Sequence, residues 1–123
     1  MLKSKKILIV DDEEGLLALI RQALEERGYE VVTAANAVDA GIEMSGNLPS
    51  LILMDIKMPG IDGFQACEAI KNNTNTKDVP IIIISALSSE SDIRRAKKIG
   101  LADYFVKPID IEKLMSRIKA IIS

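Results

Sequence analysis

Five short runs of branched apolar residues recur along this 123-residue chain, each followed by a stretch of helical character, and that alternation narrows the possible folds more than any other feature. The runs are KKILIV (5–10), EVVTA (30–34), LILM (51–54), PIIIIS (80–85) and DYFV (103–106). They are short, rich in Val and Ile and bounded by polar residues, so each reads as a strand. Between them, Leu16, Ile20 and Leu24 recur at helical spacing, as do Phe64, Cys67 and Ile70, and then Ile111, Leu114, Met115, Ile118 and Ile122. Two further helices are expected near 37–46 and 89–99. Gly28 and Gly100 stand where left-handed C-caps are wanted, Ser89 and Asp110 where N-caps belong, and NNTNTKD (72–78) reads as a surface loop. The expected fold class is α/β, a (βα)5 three-layer sandwich. Right-handed crossovers place helices on both faces of a parallel sheet, which is why the central strands are apolar on both sides. A chain of this length supports one core without staples, so residues 1–123 are read as one domain.

Composition removes several function classes. There is no histidine, so imidazole bases, Ser-His triads and the usual zinc ligands are absent together. A formal net charge of −2 gives no support to nonspecific nucleic-acid binding, which needs a basic surface. The single cysteine, Cys67, lies on the apolar stripe of the third helix and reads as core. No run approaches the length of a membrane span, and the N-terminus turns acidic too early for a signal peptide, so a cytoplasmic protein without a membrane partner is expected. The remaining chemistry runs on carboxylates, hydroxyls and lysines.

In open α/β sheets ligands bind beyond the carboxyl ends of the strands. There the first strand delivers Asp11, Asp12 and Glu13, the third Asp55 before a Pro-Gly turn, the fourth Ser85, and the fifth Lys107 before Pro108. Clustered carboxylates repel and resist burial, so they hold protons or bind a cation. An all-oxygen site with open positions suits magnesium, which commonly accepts a phosphate oxygen. A carboxylate beside that metal and a lysine can attack phosphorus to form an acyl phosphate, and Asp55 reads as that nucleophile.

VDDEE (10–14), MDIKMPGIDG (54–63), ISA (84–86) and FVKP (105–108) together resemble the response regulator receiver domain of two-component signalling, along essentially the whole chain. The resemblance implies the flavodoxin-like strand order 2-1-3-4-5 and a cis Lys107-Pro108 bond. It implies that Asp55 is the phosphoacceptor and that Asp11, Asp12, Asp55 and the main-chain carbonyl of Lys57 hold Mg2+, with Asp12 the direct ligand. Ser85 would hydrogen-bond the phosphoryl group, Lys107 would pair with it, and Tyr104 would change rotamer on phosphorylation. The implied donor is a sensor histidine kinase or phosphotransfer protein. Any catalysis is confined to the domain's own phosphorylation and dephosphorylation, and the output runs through the face of the fourth helix, fifth strand and fifth helix. Signal lifetime in the family varies with the residues two beyond the phosphoacceptor and two beyond the hydroxyl, here Lys57 and Leu87. Neither orients water well, which implies slow hydrolysis.

Taken singly, these residues have plainer readings. Asp11 and Asp12 fit as caps of the first helix and Asp62 as a cap of the third. Ser85 fits as a strand end, Lys107 as a snorkelling surface lysine, Tyr104 as edge packing and IRRAKKIG (93–100) as a solvated face. Their joint arrival at one rim favours the chemical reading. A haloacid-dehalogenase-type phosphatase needs an acid where Lys57 stands, a flavodoxin-like cofactor binder needs a phosphate loop where DDEEG stands, and a pseudo-receiver lacks one of the key positions. The alternative that survives is the excised receiver of a larger transcription factor, cyclase or hybrid kinase. A phosphorylation-dependent homodimer is a further expectation, with Asp103 and Arg117 able to pair across it, within the chain, or to remain solvated.

Overall fold

A computed structural model of the protein describes residues 5–58 and 61–122. Five parallel strands form one sheet: β1 (Lys6–Val10), β2 (Glu30–Ala34), β3 (Leu51–Asp55), β4 (Ile81–Ser85) and β5 (Asp103–Val106). Their order is 2-1-3-4-5, as expected. Five helices alternate with them: α1 (Glu14–Glu26), α2 (Ala37–Met44), α3 (Gly63–Asn72), α4 (Glu90–Ile99) and α5 (Ile111–Ile122).

Successive strand side chains point to opposite faces, and this period of two divides the core. Ile7, Ile9, Leu53, Ile82 and Ile84 pack with Ile20 and Leu24 of α1 and Leu114, Met115 and Ile118 of α5. Leu8, Val10, Ile52, Met54, Ile81 and Ile83 pack with Ala40 of α2, Phe64 and Cys67 of α3 and Ala96 of α4. Each fully buried Leu or Ile contributes about 1.5–3 kcal/mol. Burial pushes the Cys67 thiol up to about 12, so it stays protonated and belongs to the core.

The helix ends follow local chemistry. Ser89 Oγ accepts from the Asp92 N–H and Asp110 Oδ1 from the Lys113 N–H, as expected of N-caps. Asp62 caps α3 through the N–H groups of Phe64 and Gln65. Gly28 and Gly100 adopt φ of 88° and 91°, where a side chain would be strained. α2 stops at Met44, two residues short of the expected end, where the Ser45 N–H and hydroxyl both turn back to the Ile42 carbonyl. The loop after α3 is pinned by Thr76 Oγ1, which donates to the Ile70 carbonyl at 2.7 Å.

Two differences from the sequence reading lie beside Asp55. The carboxylate is itself part of β3, aligned with Ile84, because a parallel ladder uses only backbone groups and tolerates a charge at its end. A two-residue antiparallel ladder then pairs Lys57 with Asp62 and Met58 with Ile61; the Pro59-Gly60 turn lies outside the described residues. Gly63 starts α3 against Ile56, where an added Cβ would come within 2.3 Å of the Ile56 Cα. The residue following the carboxylate is thereby fixed against the helix.

Candidate functional site

Three strand ends turn in the same way. Asp11 Oδ1 accepts from the Glu13 N–H at 3.0 Å, Asp55 Oδ1 from the Lys57 N–H at 2.9 Å, and Ser85 Oγ from the Leu87 N–H at 3.0 Å. Short polar side chains bond readily to the backbone two residues on, which bends the chain without a helix or a bulky turn. The arrangement leaves Asp11 Oδ2 and Asp55 Oδ2 for other partners. All three side chains are buried, whereas Asp12 is exposed at the rim.

Parallel registry brings these ends together. β1 and β3 are neighbours, as are β3 and β4, and the Asp11 N–H continues the sheet by donating to the Ala34 carbonyl. Asp11, Asp12 and Asp55 each offer a carboxylate oxygen within 4.8 Å of the others. Lys107 enters from the end of the edge strand β5, just before the cis Lys107-Pro108 bond, with its N–H held by the Ser85 carbonyl at 2.7 Å. Its ammonium lies 2.9 Å from Asp55 Oδ2, 2.9 Å from Glu13 Oε2 and 3.7 Å from Asp11 Oδ2.

One ammonium serves three carboxylates here, and the imbalance shows at Asp11. Burial, followed by the nearby Asp55 charge, lifts Asp11 to about 6 against the opposing effect of the Glu13 N–H and Lys107. Burial disfavours the Lys107 cation, but hydrogen bonds to Asp55 and Glu13 outweigh it and hold the ammonium above its ordinary range. Asp11 Oδ2 is buried without a hydrogen-bond partner. A group so placed usually serves an ion or a function. Three carboxylates, one of them with an orphaned oxygen, fit a hard divalent cation such as Mg2+.

The sequence reading thus nominated residues that do converge, and its plainer reading of Asp11 as a cap of the first helix does not hold: α1 has no side-chain cap, one Asp11 oxygen shapes the turn ahead of the helix, and the other faces the cluster. Asp62 is a cap and stands apart from the cluster. The Tyr104 hydroxyl donates to the Leu87 carbonyl at 2.7 Å and ties β5 to the loop after Ser85. Burial raises its pKa, against a lowering contact with Ser85. Arg117 pairs with Asp103 within the chain at 2.8 Å. Glu13 had no assigned role, because nothing local ties it to a lysine 94 positions away.

The family model for the response regulator receiver domain matches residues 7–119. The chain is 38% identical over 117 residues to the phosphate regulon transcriptional regulatory protein PhoB of Rhizobium meliloti, covering 95% of this chain and 52% of that protein. It is 36% identical to protein PilH of Pseudomonas aeruginosa, covering 96% of this chain and 98% of PilH. It is also 36% identical to response regulator PleD of Caulobacter vibrioides, covering 96% of this chain but 26% of PleD. The chain therefore spans about half of PhoB and about a quarter of PleD. Among solved structures, a two-component response regulator from Clostridium difficile superposes with a TM-score of 0.89 at 30% identity, covering 96% of this chain and 95% of that one. The chemotaxis protein CheY4 of Vibrio cholerae gives 0.89 at 27% identity, covering 97% and 99%. No helix among the described residues is long and apolar enough to cross a membrane. The strand order, the acidic rim and the extent of these matches agree: the chain belongs to the response regulator receiver domains of two-component signalling.

Proposed function

We propose that this receiver domain accepts a phosphoryl group on Asp55 and relays it as a change in a partner-binding face. The observation that carries the proposal is the setting of Asp55: buried at the end of a central strand, with Oδ1 held by the Lys57 N–H and Oδ2 beside Lys107 in a cluster of carboxylates. A carboxylate oxygen of Asp55 attacks phosphorus, a new P–O bond forms, and the bond to the donor breaks. The electron pair leaves on the donor's nitrogen or oxygen. Lys107 offsets charge on the transferring group, and Ser85 can donate its hydroxyl proton to a phosphoryl oxygen while its Oγ still accepts from Leu87. Asp11, Asp12, Asp55 and the Lys57 carbonyl would hold Mg2+, which supplies charge neutralisation for the same transfer.

The family implies a sensor histidine kinase or phosphotransfer protein as donor. The phosphoryl charge then draws on Ser85 and Lys107 and biases two arrangements of the α4–β5–α5 face, with Tyr104 joined to the same loop through the Leu87 carbonyl. A downstream protein or a second copy of the chain would read that face. Relatives of both lengths match, PilH over nearly all of its length and PhoB over half, so a larger regulator is the second reading of the chain's context. The flanking gene sequence distinguishes the two.

Incubation with acetyl phosphate or phosphoramidate and magnesium should add one phosphoryl group by intact-mass spectrometry. Chelator and Asp55→Asn should abolish it; full labelling of Asp55→Asn would overturn the assignment. Asp12→Ala should lose magnesium binding and labelling together. Lys107→Ala should keep its magnesium titration while the response of the α4–β5–α5 face, followed by NMR, falls away.

A further inference from the structure

Lys107 has a partner that the proposed phosphoryl transfer does not use. Its ammonium lies as close to Glu13 Oε2 as to Asp55 Oδ2, 2.9 Å in each case, so the two carboxylates are no farther apart than twice that distance. Glu13 immediately precedes α1, yet its side chain makes no capping bond to the helix. Its carboxylate, 58% exposed, reaches instead over the rim to a lysine that is only 19% exposed. Nothing in the helix requires that choice.

We propose that Glu13 is a positioning residue that competes with the incoming phosphoryl group for Lys107, and so limits both the rate at which Asp55 is phosphorylated and the hold on the phosphoryl group afterwards. This rests on Asp55 being the phosphoacceptor. An ammonium has three donors but one position, and a lysine drawn toward Glu13 is drawn away from the oxygens of a group bonded to Asp55. The same carboxylate adds negative charge beside the path of an anionic donor. Because Glu13 is solvated, its contribution is that of a partly exposed ion pair, and its removal should be worth about two- to fivefold.

Two variants separate contact from charge. Glu13→Gln removes the charge. Glu13→Asp keeps it but withdraws the carboxylate by one carbon, out of reach of an ammonium anchored just after β5. Neither should lower the melting temperature, since no helix cap is lost. Using the full chain in saturating magnesium, the initial rate of labelling by subsaturating acetyl phosphate should rise about two- to fivefold in both. The concentration of beryllofluoride, a phosphoryl mimic, that half-occupies the site by NMR should fall by a similar factor. In a Lys107→Ala background, both effects should vanish. An unchanged rate in wild-type and variant proteins that are otherwise labelled overturns the role of Glu13 alone. So does Glu13→Asp behaving as wild type while Glu13→Gln accelerates, or acceleration that persists without Lys107. Wild-type protein that takes up no phosphoryl group on Asp55 overturns the reading of the site and this inference with it.

Discussion

Along β1, β3 and β4 the polarity reverses within a single residue. Val10, Met54 and Ile84 are buried among apolar neighbours; Asp11, Asp55 and Ser85, one position on, are buried with charges or hydroxyls. The interiors stabilise the fold by removing hydrocarbon from water. The ends work against it, since a buried carboxylate without enough partners costs free energy. The domain holds its reactive groups in place by attaching them to the part of the molecule least able to move. Their turns are made by the same side chains, so the loops that follow depend on them as well.

The largest expected effect comes from the interior. Leu53 is fully buried between α1 and α5, two residues before Asp55. Leu53→Ala should cost about 3–4 kcal/mol in urea denaturation through lost transfer energy and a cavity. The Asp55 chemistry should survive in the fraction that remains folded. Loss of labelling in fully folded variant protein would show that interior and rim are not separable.

At the rim the sign inverts. The folded pKa of Asp11, about 6, stands above the ordinary aspartate value. The stability associated with its proton is therefore complete below pH 4 and is lost as pH rises through about 6. Without magnesium at pH 7.5, Asp11→Asn should be more stable than wild type by on the order of 2–3 kcal/mol, and the two should converge near pH 4. Added magnesium should stabilise wild type and leave the variant nearly unmoved. Equal metal-free stabilities at pH 7.5 would mean that the cluster carries no electrostatic cost.

The same contrast explains what could be read from the chain. Interiors are legible because burial on both faces leaves continuous apolar runs, and helix faces because their stripes repeat. Asp11, Asp55, Ser85 and Lys107 were legible as candidates because each interrupts or ends such a run. Contacts set by long-range geometry were not: Glu13 to Lys107, or Gly63 against Ile56. The early end of α2 was obscured by Ser45 and Gly46, which permit either continuation or a turn until the Ile42 carbonyl takes both Ser45 donors. Asn36, whose side chain caps α2 through the Asp39 N–H, carried a capping signal that the apolar pattern alone did not weigh.

The smallest expected effect concerns how long the phosphoryl group stays. Acyl phosphates hydrolyse when water is held in line with phosphorus, and the residues best placed to hold it follow two of the three strand-end turns. Lys57 is exposed, and its N–H anchors Asp55. Leu87 is half-buried, with its N–H on Ser85 and its carbonyl on Tyr104. Both backbones are fixed by the rim, so their side chains can be exchanged without remaking it. Neither side chain accepts a hydrogen bond from water, and leucine also crowds the approach. Lys57→Asn with Leu87→Glu supplies acceptors at both positions. One well-placed hydrogen bond should shorten the phosphorylated lifetime roughly three- to tenfold. Dephosphorylation followed after donor removal measures it directly, and thermal melting of the double variant should match wild type because no rim bond is lost. A lifetime that stays the same or lengthens would show that the strand ends themselves, and not the side chains that follow them, govern the water.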